Sequence, residues 1–217
     1  MTRLLIGALS IFLMVGIASA GELAGFNPNH SSNPPERPED LYQGDLIPEQ
    51  GLGCSNPTGN SGGPNDIVVG VAAAMTPPFC ITSHYYDIYT QMGFVTELNF
   101  IVLTGMAMPG TQIGLQAGLD PSMGGHTVAI SPAILVPDAM FFLGHNQPQV
   151  DAGMRWGLDT TSSAGTSYIR AESCGAVAYT LVDQLGFPGN WCFSVTIDDG
   201  PSPVELQSWG SVKALFQ

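Results

Sequence analysis

The stretch Trp191-Cys192-Phe193-Ser194-Val195-Thr196-Ile197-Asp198 decides the fold class. Its large apolar residues fall on every second position, with small or polar residues between them. Successive strand side chains point to opposite faces, so this period of two predicts a strand with one buried side. Working outward, Ile67, Val69 and Val71 repeat the pattern, as do Leu98, Phe100 and Val102. Further short apolar runs at 112–116, 126–130, 139–143, 154–158, 168–171 and 176–181 read as strands. Turn residues punctuate them: Met108-Pro-Gly, Asp120-Pro-Ser-Met-Gly-Gly, Val136-Pro-Asp and Gly186-Phe-Pro-Gly-Asn. Many short strands with such turns predict an all-β, antiparallel sandwich, jelly-roll-like in its connections. Neither strand–helix alternation nor an internal repeat is visible, which excludes a parallel α/β fold and a propeller.

The rest of the chain divides by texture. Residues 1–20 hold Arg3, an apolar run from Leu4 to Ile17 and the small-x-small ending Ala18-Ser19-Ala20. That run is shorter than the roughly 20 residues of a spanning helix, so it reads as a cleaved secretory signal, leaving no transmembrane span. Residues 21–64 are rich in Pro, Gly and Asn and are expected to form an extended arm. The sandwich follows over 65–200. A tail at 201–217 could hold a short helix, with Ser208 as cap and Trp209, Val212 and Phe216 on one side.

The formal net charge is −13, from 5 basic and 18 acidic side chains. Nucleic-acid binding requires Lys and Arg to neutralise phosphates, so DNA and RNA are excluded as partners. The four cysteines, Cys54, Cys80, Cys174 and Cys192, all follow the signal, and an even count in an exported chain predicts disulfides. Proximity in sequence favours the pairs Cys54–Cys80 and Cys174–Cys192. Zinc is disfavoured because no Cys-x-x-Cys pair occurs.

Chemistry-bearing motifs are sparse. Gly59-Asn60-Ser61-Gly62-Gly63-Pro64 satisfies G-x-S-x-G and resembles the nucleophile segment of trypsin-like serine proteases, with Asn60 in place of Asp. It lacks the strand before and the helix after that a nucleophile elbow needs, and only His30 precedes it, so it reads as a turn. His84, His126 and His145 lie far apart in sequence, though a sandwich could bring them together. Asp198-Asp199-Gly200 could help hold a structural Ca²⁺, the only cofactor in view, and Asp159 with the hydroxyl-rich run after it is a second oxygen-rich spot. The plainer reading of Asp198 and Asp199 is an acidic turn. Tyr85, Tyr86, Tyr89 and Trp156 are the candidate ligand-binding rings, as flat surfaces for sugars. Tyr85 and Tyr86 would face opposite ways, and packing in the core is the competing role of all four.

From about Asp66 the chain resembles secreted bacterial β-sandwich modules of unknown function. The resemblance is carried by His126-Thr-Val-Ala-Ile, Val136-Pro-Asp-Ala-Met-Phe-Phe-Leu-Gly, Ser167-Tyr-Ile-Arg-Ala before Cys174-Gly, and Gly189-Asn-Trp-Cys-Phe. It implies a fold and an exported location, with no catalytic motif to carry over. The expectation is a non-catalytic secreted or cell-surface module acting in extracellular binding, adhesion or envelope and matrix assembly. Its partner would be a polysaccharide or an extracellular protein. A carbohydrate-binding module, Ca²⁺-stabilised, is the alternative, and a secreted hydrolase the minor one.

Overall fold

The computed structural model describes residues 22–25, 40–55, 65–92, 97–148 and 153–199. Residues 1–20, read above as a secretory signal, the Ser61 motif and the tail 201–217 lie outside them. Two antiparallel sheets face one another, with no α-helix among the described residues. The eight-stranded sheet contains β1 (Glu22–Gly25), β2 (Asp40–Tyr42), β3 (Gln50–Ser55), β5 (Phe79–Met92), β8 (Gly124–Val136), β10 (Gly153–Asp159), β13 (Asn190–Trp191) and β14 (Phe193–Asp199). The six-stranded sheet runs β12 (Ala176–Leu181), β11 (Ser167–Ala171), β4 (Asn65–Ala72), β9 (Met140–Gln147), β6 (Asn99–Thr104), β7 (Gln112–Gln116).

The alternating residues behave as their period predicts. Trp191, Phe193, Val195 and Ile197 enter one core with Ile67, Val69, Val71, Phe100, Val102, Phe141, Leu143, Trp156 and Leu158. Burying side chains of this size contributes roughly 1.5–3 kcal/mol each, which makes the space between the sheets the main source of stability. A second, smaller apolar cluster joins Val68, Ile101, Leu103, Phe142 and Tyr168, the residues that alternate with the core set on the six-stranded sheet.

Two expectations are corrected, and one strand carries no signal in the sequence. Residues 40–55 are not a loose arm: β2 pairs with β14, and β3 pairs with β1 and β10. The disulfide joins Cys54 to Cys174, with their Cα atoms 5.9 Å apart, and leaves Cys80 and Cys192 as free thiols. It thereby ties β3 of one sheet to the 3-10 turn Glu172–Cys174 that follows β11 of the other. Nearness in sequence misled because β5 places Cys80 opposite Asp198 and Leu135, well away from Cys54. Finally, β5 is the longest described strand yet has no clear binary pattern, since the stretch from His84 to Tyr89 is buried on both faces.

That double burial has a local cause. Residues 43–49 cross the outer side of the eight-stranded sheet. Leu46 and Pro48 are buried there, and a side chain at Gly157 would meet Pro48 and Asp87. Gly51 lies so close to Tyr89 that a Cβ would come within 2.4 Å of its ring. The N-terminal segment thus forms a partial third layer, held where glycines permit close approach.

Candidate functional site

Each candidate ligand-binding ring is enclosed. Tyr85 and Tyr89 are 2% exposed, and Tyr86 and Trp156 are fully buried. The opposed directions of Tyr85 and Tyr86 do occur, but both directions lead indoors. Tyr86 and Trp156 enter the inter-sheet core, while Tyr89 lies under β3 and its hydroxyl donates to the Glu49 carbonyl. A flat surface offered to sugars by these four side chains is therefore ruled out. Asp198 and Asp199 sit exposed at the end of β14, opposite Cys80 and Phe79. Among the described residues they belong to no group of three or more His, Cys, Asp or Glu side chains close enough to share a metal ion.

The acidic groups that do converge are Asp45, Glu49 and Asp159, with ligand oxygens all within 4.8 Å of one another. Asp159, singled out by the sequence for its hydroxyl-rich neighbours, is buried at the end of β10. Its Oδ2 accepts from the Asp45 amide at 3.0 Å, and its Oδ1 accepts from the amide and hydroxyl of Thr161. Glu49 accepts from the Thr160 amide at 2.7 Å, and Asp45 from the Ile47 amide at 2.9 Å. Gly44, at φ +71°, lets the chain pass so close that a Cβ would lie 1.8 Å from Asp159 Oδ2. These oxygens suit a hard cation such as Ca²⁺. Their hydrogen bonds already account for them as anchors that pin residues 43–49 to β10.

The histidines come together in part. His84 on β5 and His145 on β9 meet across the core with their Nε2 atoms 2.8 Å apart. His84 Nδ1 lies 2.9 Å from the Ser194 carbonyl, so that nitrogen must carry the proton and donate it. His84 Nε2 is then an acceptor, and His145 Nε2–H donates to it. In this arrangement His145 Nδ1 is the ring's unprotonated nitrogen. Phe100 stacks on His84 at 4.1 Å, and Trp156 on His145 at 4.2 Å. Burial holds His84 down to about 3, although the Ser194 carbonyl opposes it. Burial, then the neighbouring His84, holds His145 well below the usual imidazole range. His126 stays near the surface, stacked on Tyr86 at 4.9 Å with Nε2 donating to the Ser122 carbonyl. The pair is thus neutral, sealed and aromatic-lined, which makes it core packing with one internal proton.

A third group carries no sequence signal because its members come from five strands. Arg170 on β11 lies opposite Asp66 on β4, which lies opposite Asn146 on β9, which lies opposite Asn99 on β6. Tyr179 on β12 joins from the side. Directly opposed residues share a face, so this is one transverse row on the outer side of the six-stranded sheet. Asp66 is its hub: Arg170 Nη2 stands 2.5 Å from Oδ2, Tyr179 Oη donates to Oδ2 at 2.8 Å, and Asn146 Nδ2 donates to Oδ1 at 2.6 Å. The guanidinium lies over the Tyr179 ring at 5.1 Å. Burial, with Asp66 beside it, pushes the Tyr179 phenol above its ordinary range, so it stays a protonated donor. Buried Asp66 is neutralised, while the Arg170 side chain keeps 38% of its surface exposed.

Elsewhere, an open cleft of about 430 Å³ is lined by Gly105, Met106, Asp138, Ala139 and Met140. Among the described residues no helix is long and apolar enough to cross a membrane. No family model, curated protein or solved structure matches this chain.

Proposed function

We propose that this chain is a non-catalytic module of the cell exterior that acts by binding through its surface. The observation that carries the reading is a division of labour among its polar groups. Of the described side chains able to exchange protons or attack as nucleophiles, His84, His145, Cys192 and Tyr86 are fully enclosed, and His126 and Cys80 are partly covered. Burial pushes the Cys192 thiol well up, with Asp87, Asp159 and Glu49 adding to it, so the reactive thiolate is suppressed. By contrast, Arg170 on the outer side of the six-stranded sheet keeps 38% of its side chain exposed while it holds buried Asp66. The Cys54–Cys174 disulfide supports an oxidising location, in keeping with the signal-like residues 1–20.

The test has two arms. The purified chain is incubated with ester, peptide and glycoside substrates, and separately with envelope and extracellular-matrix fractions of the organism that produces it. Saturable retention without turnover is the expected result. Turnover that disappears when one polar residue is changed would overturn the reading.

A further inference from the structure

We infer that the turn between β6 and β7 and the start of β9 form a site for a soft monovalent metal ion, Cu⁺ or Ag⁺. The thioethers of Met106 and Met140 are its donors, and Met108 on the same turn is a third. The site goes beyond the surface-binding reading and does not depend on it. Met106 and Met140 line one open cleft of about 430 Å³ with Asp138. Strand pairing brings them together: β6 ends at Thr104 opposite Phe141, so the turn starts beside Met140, the first residue of β9. Met140 lies two positions before Phe142, a member of the outer apolar cluster, so both face the outer side of the six-stranded sheet. The turn folds onto that side. Tyr168 Oη donates to the Ala107 carbonyl at 2.7 Å, and a Cβ on Gly105 would lie 2.9 Å from the Phe142 ring.

The turn's backbone is fixed while its methionines are left in water. The Gly110 amide donates to the Thr104 carbonyl at 2.7 Å, and the Thr104 amide to the Thr111 carbonyl at 2.8 Å. Gly105, at φ +142°, brings the chain back on itself, so close that a Cβ would lie 2.1 Å from the Met108 carbonyl oxygen. Among the described residues Met106 is the most exposed large apolar side chain, at 86%, and Met108 follows at 57%. Methionine is ordinarily a buried residue. Two exposed on one turn, with a third across the cleft, make an array of donors rather than packing. Their unbranched side chains have three rotatable bonds, so the sulfurs can turn toward one ion from a fixed frame.

The donor set selects the ion. Soft thioether sulfur suits Cu⁺, for which Ag⁺ is a redox-stable substitute, whereas Ca²⁺ needs six or more oxygens and Zn²⁺ takes imidazole or thiolate. Among the described residues no histidine or cysteine lines the cleft, and Asp138 is its one carboxylate. Charge favours a cation there. The chain carries −13, and neither Arg155 nor Arg170, the basic side chains among the described residues, lines the cleft.

The experiment titrates the full chain, carrying ¹³C in its methionine methyl groups, with silver nitrate in chloride-free buffer. The methyl signals of Met106, Met108 and Met140 are expected to shift together and to saturate at one ion per chain. Met123, 53% exposed but at the opposite end of β8 from Asp138, and buried Met154 should stay in place at those concentrations. Met106→Leu and Met140→Leu keep the apolar volume and remove only the sulfur. Each should weaken Ag⁺ binding about tenfold or more, and Cu⁺ held under ascorbate against bicinchoninate should follow the same order. These affinities are measured in a Cys80→Ser background, because the half-buried Cys80 thiol competes for the same ions. If that variant does not fold, the methyl titration of the wild-type chain decides. Unmoved Met106 and Met140 signals, a Met123 signal that shifts alongside them, or binding abolished by Cys80→Ser would overturn the proposal. So would equal affinity in the leucine variants, which would mark the cleft as apolar surface only.

Discussion

His84 and His145, 61 positions apart in sequence, share one hydrogen bond of 2.8 Å at the centre of the sandwich. The bond works with one proton between the two Nε2 atoms, and the Ser194 carbonyl fixes which ring donates. A second proton would place a charge among Phe100, Trp156, Tyr86 and Phe193 with no carboxylate to meet it.

Acid should therefore weaken the fold in a defined window. An unfolded histidine titrates near 6.5, whereas folded His84 stays neutral down to about 3. Above pH 6.5 neither state binds the proton and the pair has no effect. Below it the unfolded chain gains protons the native chain refuses, and stability falls by about 1.4 kcal/mol per pH unit for each histidine. Urea midpoints should drop measurably between pH 7 and pH 5, before most carboxylates titrate. The double variant His84→Phe, His145→Leu should flatten that slope; an unchanged slope would contradict the neutral pair.

Thiol chemistry checks the connectivity. Unfolding without reductant should reveal two free thiols per chain, Cys80 and Cys192, and peptide mapping should recover Cys54 joined to Cys174. In the native state, reagents should reach half-buried Cys80 first and leave Cys192 silent. The bridge spans 120 positions, and its reduction should cost about 5 kcal/mol in the chain-entropy account. A mapped Cys54–Cys80 peptide would refute this arrangement.

Gly53 is expected to resist even one added methyl group. A Cβ there would lie 2.4 Å from the Met154 carbonyl and 3.1 Å from the Arg155 Cα, and backbone cannot rotate aside. Gly53→Ala should lower stability by about 1–3 kcal/mol as β3 is pushed from β10. Gly165→Ala is the control: φ is +65° but nothing lies within 4 Å, so about 1 kcal/mol of backbone strain is the whole expected effect. Chemical denaturation of the two variants side by side reads the difference.

Asp159→Ala should release the segment at 43–49. It leaves the Asp45 amide and the Thr161 amide and hydroxyl without their acceptor, at a cost of roughly 2–4 kcal/mol. Limited proteolysis should then cut within residues 43–49 first, and Asp159→Asn should recover part of the loss. Equal protease resistance in wild type and Asp159→Ala would remove the anchoring role.

Alternation is a local property, and locally it was readable. Trp191, Phe193, Val195 and Ile197, with Ile67, Val69, Val71, Phe100 and Val102, all face the inter-sheet core as their spacing requires. The runs at 112–116 and 176–181 coincide with β7 and β12. Strand β3 was hidden because Gly51 and Gly53 contribute no side chain to a pattern. What demands glycine there is the approach of Tyr89 and of the β10 backbone, from elsewhere in the chain. Strand β5 was hidden because covering by residues 43–49 buries its outward face as well.

By itself, the sequence determined the strand texture, the inward-facing set and the acidic balance, because each depends on neighbours or on a sum over the chain. Only the tertiary structure decided that Tyr85, Tyr86, Tyr89 and Trp156 lie indoors, that Cys54 meets Cys174, and that Arg170, Asp66, Asn146 and Asn99 stand abreast. Those facts depend on strand order and register, which bring distant residues together through pairing geometry and leave no periodic trace in the chain.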